Sequence, residues 1–307
     1  MAHKRTKERK DYDTPWSNIL GNFFEQFMAF CWPDKYHLID WKRGYTSLDK
    51  DLKKITKDAK VGNRVVDKLI KLYTICGEEK IIYIHIEVQG RSEKYFGERI
   101  YVYNYRLFDK FRQPIVSVVI LTDKNPHWRP NSYRSSIWDC SCELNFKVVK
   151  LLDYKKRKEE LEASENPFAM VILAQLAALE IKEPEQKMNF KINLARRLYK
   201  KRWKKQNMID LFLFIDWIVA LPQDFEIEYD ELLLKLEGEM SKNFVNRFEL
   251  KGVEKGRLEL IKRLLLVKFK SIPKKYQEML EEADSKELLI WGDRLVKNDT
   301  LEEIFSS

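Results

Sequence analysis

One nine-residue run constrains this chain more than any other: Ile81-Ile-Tyr-Ile-His-Ile-Glu-Val-Gln89. Side chains of a strand alternate between its two faces. Ile82, Ile84, Ile86 and Val88 therefore make one apolar face, and Tyr83, His85, Glu87 and Gln89 share the other. A carboxylate on so strong a strand is costly to bury unless it is paired or metal-bound. The run just before it, from about Arg64 to Tyr73, carries a second anomaly, because Asp67 lies between Val65 and Leu69 on one face. Asp is depleted in strands. The short segment Cys76-Gly77-Glu78-Glu79 predicts a turn that joins the two strands as an antiparallel hairpin. That pairing brings Asp67 toward Glu87, and two close carboxylates repel unless a cation sits between them. A hard divalent ion held by one or two carboxylates plus substrate phosphate satisfies this arrangement.

Around this hairpin the pattern is regular. Asp13 to about Cys31 reads as a helix, with Asp13 or Thr14 as cap, Pro15 in its first turn and Phe23, Phe24, Phe27 and Phe30 as its apolar face. A short strand is expected near Leu52–Ile55. A helix is expected from about Glu93 to Phe111 with Ile100, Tyr103, Leu107, Phe108 and Phe111 as its stripe, followed by a buried strand over Ile115–Thr122. From Trp128 to Phe146 no period is visible. Beyond Phe146 the spacing is helical over Phe146–Ala163, Pro167–Lys182, Glu185–Lys205, Met208–Leu221 and Tyr229–Phe248. The last segment, from about Gly256 to Phe305, is also helical, with Leu288, Leu289, Trp291 and Leu295 as an apolar stripe.

Asp67 followed by Glu87-Val88-Gln89 on the next strand resembles the motif of the PD-(D/E)XK nuclease superfamily. IHIEVQ with GERIYVYNYRLFDKF and PIVSVVILTD is similar to its transposase-associated branch, the recombination-promoting (Rpn) nucleases. The resemblance covers roughly residues 13–123. It implies an α/β (α+β) fold with a restriction-endonuclease-like core, α-β-β-β-α-β, followed by a helical C-terminal region. The implied domains are a basic arm over 1–12, a nuclease-like domain over 13–145, a helical region over 146–250 and a small helical module over 251–307. The resemblance further implies a Mg²⁺ (or Mn²⁺) ion held by Asp67, Glu87 and the Val88 carbonyl, with Glu25 of the first helix as a further acidic candidate. The motif's final Lys is Gln89 here. Gln can orient a water but brings no positive charge. His85 reads as a histidine bonded to a neighbour, or as a proton shuttle.

Charge fits a polyanion partner. Of the net +9, residues 1–125 contribute +7, residues 126–205 contribute +8 and residues 206–307 contribute −6. Arg99 and Arg106 are candidates for phosphate contact along the sheet's open edge. Lys201, Arg202 and Trp203 form the densest basic cluster, whose Trp could stack on a base. A solvated surface or helix end explains these groups as well. The expected partner is DNA, with a homodimer by analogy to nucleases that cut both strands. No membrane association is expected, since Leu211–Leu221 is too short to span a bilayer and contains Asp216. No secretory signal is read at the N-terminus, so the expected location is cytoplasmic, at the nucleoid when DNA is bound. Cys140 and Cys142 lack the second pair that a zinc site needs, and isolated Gly77 and Gly90 exclude a phosphate-binding loop. Two functions follow: a metal-dependent endonuclease, or a silent nuclease fold that binds nucleic acid or serves assembly. A purely structural helical adaptor leaves the two strand carboxylates unexplained.

Overall fold

The computed structural model describes residues 13–49, 52, 67–75, 81–201, 203–239, 247–283, 285–297 and 300–305. The chain divides into two compact units, Met1–Ser241 and Lys242–Ser307.

The first unit is built on a five-stranded mixed sheet of order β1-β2-β3-β4-β7. These strands are Tyr45–Ser47, Asp67–Tyr73, Ile81–Gln89, Ile115–Leu121 and Lys147–Lys150. β1, β2 and β3 run antiparallel, and β3, β4 and β7 are parallel. The hairpin expected from the sequence is present, with Leu69 opposite His85 and Asp67 opposite Glu87. A parallel partner needs a crossover connection, and α4 (Phe96–Phe111) supplies it between β3 and β4. Asn104 fastens this crossover, donating to the Ile115 carbonyl and the Ser117 hydroxyl, both at 3.0 Å. Arg112 ends α4 in the left-handed region (φ 52°), returning its N–H to Phe108.

α4 covers one face of the sheet. Phe96 and Ile100 pack with Val119, Leu121 and Phe146, while Leu107 packs with Leu69 and Tyr83. The ring of Tyr83 stacks on Phe111 at 4.5 Å. Phe108, expected in this stripe, is instead 47% exposed. Helices α1 (Asp13–Asn22) and α2 (Phe24–Cys31) lie toward the other face, where Gly21 sits beside the Lys68 side chain. They form two helices instead of the one expected, broken at Phe23 (φ −123°, ψ 29°), and the short α3 (Pro33–Tyr36) follows them. Phe27 meets Phe168 edge-on at 5.3 Å. Phe168 opens α6 (Phe168–Glu180), which is buried on all sides from Phe168 to Ala177. A helix apolar all round belongs in a core.

Four further expectations change. The first strand is Tyr45–Ser47, ahead of the predicted Leu52–Ile55, where Leu52 is helical and residues 53–55 lie outside the described residues. The stretch without a period holds a separate hairpin, β5 (Ser132–Ile137) with β6 (Cys140–Asn145). Phe146–Ala163 is not one helix. It opens with β7, passes through a 3-10 segment over Leu151–Arg157 and only then forms α5, Lys158–Ala163. β7 completes the sheet through pairs such as Leu121 with Lys150, so no domain boundary falls at 145/146.

The helical region continues with α7 (Pro184–Lys200), α8 (Lys205–Ile218) and α9 (Gln223–Glu239). The basic arm expected over 1–12 lies outside the described residues.

The second unit holds α10 (Arg247–Phe269), α11 (Lys274–Glu282), α12 (Ser285–Lys297) and α13 (Leu301–Ile304). Its core centres on Leu265, Leu280, Trp291 and Ile304, with Phe305 stacked on Tyr276 at 4.8 Å. Leu288, Trp291 and Leu295 are buried there, whereas Leu289 is half-exposed. Among the described residues no helix is long and apolar enough to cross a membrane.

Candidate functional site

The polar face of β3 is covered by α4 and does not meet solvent. Tyr83 to Gln89 are buried without interruption, and His85, Glu87 and Gln89 are each at most 1% exposed. Charge buried this deeply must find partners on neighbouring elements. α4 provides one. Arg99 is itself 1% exposed. Its Nη2 donates to Glu87 Oε1 and to Gln89 Oε1, each at 2.8 Å. Its Nη1 donates to Glu93 Oε2 at 3.0 Å. Gln89 Nε2 donates to the Arg91 carbonyl at 2.8 Å and to Glu93 Oε2 at 3.4 Å. The guanidinium also lies 5.0 Å from the centre of the Phe96 ring, within cation–π range.

Two observations on β3 bear on ligand chemistry. The first is register: Asp67 and Glu87 are direct partners across the antiparallel ladder. Directly opposed residues hold their Cβ atoms about 4.5–5.5 Å apart. The side chain of Asp67 lies outside the described residues. The second is an orphan. Glu87 Oε2 is buried and accepts no hydrogen bond among the described residues. His85 Nε2 stands 3.7 Å from it. Burial, aided by the Arg99 charge, pushes the His85 pKa down to about 3. That direction favours a neutral imidazole over a proton shuttle near neutral pH. It sits edge-on to Tyr103 at 5.7 Å.

A second charge pair closes the same end of the sheet. The N–H of Thr122 donates to the Gln89 carbonyl at 2.9 Å, and Asp123 follows directly. Lys150, at the end of β7, donates to Asp123 Oδ2 at 2.5 Å, with both residues buried. Crevices outside the carboxyl ends of parallel strands are where open α/β sheets bind ligands. Asp123, Lys150 and Glu93 were not singled out from the sequence. The visible signal was a lone Asp closing the apolar run Ile115–Thr122.

The remaining expected site residues disperse. Arg99 is no phosphate contact on an open edge, because the carboxylate and carboxamide of β3 hold it inside. Arg106 is half-buried farther along α4. Val88 stands between Glu87 and Gln89 with its side chain buried on the opposite face. Glu25 does not join Glu87: it accepts from the Tyr36 hydroxyl at 3.0 Å, and burial together with the Glu25 charge raises the Tyr45 phenol. Tyr45 belongs to edge strand β1, two strands from β3, and its hydroxyl donates to Gly21 on the α1 side. Lys201 pairs with Glu165 and also donates to the Ser164 carbonyl at 3.1 Å, so its charge is neutralised by a neighbour. Trp203 Nε1 donates to the Glu165 carbonyl at 3.2 Å. That indole lines a cleft of about 480 Å³ with Asn22 and Gln26. Arg202 lies outside the described residues.

Among the described residues no three His, Cys, Asp or Glu side chains are grouped so as to hold a metal. No protein-family model, no curated protein and no solved structure matches the chain.

Proposed function

We propose that this chain is a metal-dependent DNA endonuclease of the PD-(D/E)XK kind, related to recombination-promoting nucleases. The observation that carries the reading is the register of β2 and β3. It sets Asp67 opposite Glu87 and puts Gln89 two residues farther on the same face. The order of helix, β1, β2, β3, α4 and β4 supports it, as does the orphaned Glu87 Oε2.

Asp67, Glu87 and the Val88 carbonyl would hold Mg²⁺ or Mn²⁺, a donor set of hard oxygens that suits either ion. When bound, the ion supplies Lewis-acid charge to a phosphodiester and acidifies water. The chain's own residues set the geometry. Arg99 fixes the Glu87 carboxylate through Oε1, and Oε2 has no donor among the described residues. Glu87 is 1% exposed, and this exclusion of water strengthens the carboxylate's attraction for a cation. The positive balance of residues 1–205 draws DNA toward this unit.

The test is nicking of supercoiled plasmid by the full chain with Mg²⁺, Mn²⁺ or EDTA, beside Asp67→Ala and Glu87→Ala. Metal-dependent nicking, lost in both folded variants together with Mn²⁺ binding by calorimetry, is the expected result. A second reading is favoured by one observation: the Gln89 carboxamide is already bonded on both its oxygen and its nitrogen within the protein. It is a nuclease fold that binds nucleic acid without cutting it. Salt-sensitive DNA binding by a wild type that never nicks would select it.

A further inference from the structure

Resting on the endonuclease reading, we infer that Arg99 is the cation of this site and that Gln89 is there to hold it. Arg99 is a positioning residue, displaced from the strand onto the crossover helix.

Position 89 carries no charge, yet a positive group stands beside it. A terminal guanidinium nitrogen has two hydrogens. In Arg99 Nη2 both are used, one on Glu87 Oε1 and one on Gln89 Oε1. The Gln89 oxygen therefore faces Arg99, and its amide nitrogen is turned to the Arg91 carbonyl. This orientation suits a cation in α4 and would be wrong for orienting a water with that oxygen. Glu93 closes the other side of the guanidinium through Nη1. The Glu87 carboxylate is thereby pinned by one oxygen, and the other is the atom left for an ion. Phe96 against the guanidinium and Tyr103 one turn on keep the group dry.

The arrangement has a consequence opposite to the simplest expectation. A Lys at position 89 would put an ammonium against the Arg99 guanidinium in a buried place, where like charges repel strongly. Restoring the superfamily's Lys therefore damages the site while Arg99 is present. It repairs the site only when Arg99 is neutralised.

The experiment uses four full-length proteins: wild type, Gln89→Lys, Arg99→Gln and the double variant. Each is measured for melting temperature in EDTA, Mn²⁺ affinity by calorimetry and single-turnover plasmid cleavage in Mn²⁺. Partners that orient a metal's ligands are typically worth about 10–100-fold in affinity or activity. Each single variant is expected to lose at least about tenfold in both. Each also drops in melting temperature by about 4 °C or more in EDTA. The double variant recovers most of all three, which a merely structural role for either residue does not predict. Gln89→Met, of similar shape and without the oxygen, serves if Gln89→Lys fails to fold, and it too is expected to lose about tenfold in Mn²⁺ affinity. A Gln89→Lys protein as active as wild type overturns the inference alone, as does Gln89→Met with full Mn²⁺ affinity or a double variant no better than its worse parent. A wild type that neither binds Mn²⁺ nor cleaves overturns the endonuclease reading and this inference with it.

Discussion

Removing the ammonium of Lys150 should destabilise the first unit severely, and Lys150→Met is the cleanest way to do it. Lys150 and Asp123 are 1% and 3% exposed, and their side chains meet at 2.5 Å across the ends of β4 and β7. Lys150 also reaches the Trp128 carbonyl at 3.4 Å, and Asp123 Oδ1 accepts from the Asn125 N–H at 2.8 Å. Met fills much of the lysine's volume, so little cavity forms and the change reports mainly on charge. Asp123 is then left buried with the Asn125 N–H as its hydrogen-bond partner among the described residues and only the more distant Arg129 charge beside it. Stranding one member of a buried pair costs about 3–5 kcal/mol. In a unit of this size that corresponds to a fall in melting temperature of roughly 6–20 °C. Asp123→Asn keeps the acceptor for Asn125, and the double variant strands no charge. It should cost about 2–3 kcal/mol less than the two single changes added together. Urea unfolding followed by tryptophan fluorescence reads the right unit, because seven of the eight Trp lie before residue 242. A Lys150→Met cost below about 1 kcal/mol, or a coupling below about 0.5 kcal/mol, refutes the claim that this pair fastens the sheet's end.

Two other consequences are measurable on the same material. A Cβ on Gly97 would stand 2.6 Å from the Ser132 carbonyl oxygen, which is backbone and cannot swing aside; Gly97→Ala is therefore expected to cost about 1–3 kcal/mol in urea unfolding, and a cost near zero would mean that β5 is not seated on α4. Burial pushes the Cys31 thiol from 9.0 up to about 12. An acid whose folded pKa is raised contributes stability below its unfolded pKa that is lost as pH rises through the folded one. From pH 9 to 10.5 the fold should lose about 2 kcal/mol through this thiol, a loss that Cys31→Ala removes in urea titrations at the two pH values.

The hairpin, its register and the helix after it were legible because alternation over nine residues fixes a strand's faces, and a one-residue slip would have buried the wrong set. What the alternation could not say is whether the polar face meets water or a helix. That depends on α4, whose own pattern held the answer. Arg99, Tyr103 and Leu107 recur at i, i+4 and i+8 and so share a helix face, and all three are buried. Arginine is seldom fully buried unless paired, which favours an edge position for Arg99 on sequence alone, and its partners lie on another element. β1 has three residues, too few for a period. The β5–β6 hairpin turns through Trp138 at φ 51°, 96% exposed, where Asn or Gly is the usual choice, so no turn signal announced it. β7 stayed hidden because Lys147 and Lys150 bracket it and a basic helical run follows.

The buried charges around Glu87 bear on whether a cation belongs there at all. A guanidinium already neutralises one carboxylate, so Asp67 and Glu87 repel less than a bare pair would. Counting formal charges decides the matter differently. Among the described residues, Glu87 and Glu93 share Arg99, which leaves a formal charge of −1 in the network, and neutral His85 adds nothing. Asp67, in direct register with Glu87, raises this to −2 when ionised. A divalent ion cancels that charge, and a second arginine in the place of Asp67 would have done so without an ion. A carboxylate at that position is intelligible if the remaining charge is meant for a ligand. Had the network been built for stability alone, well-packed apolar residues would have served as well or better.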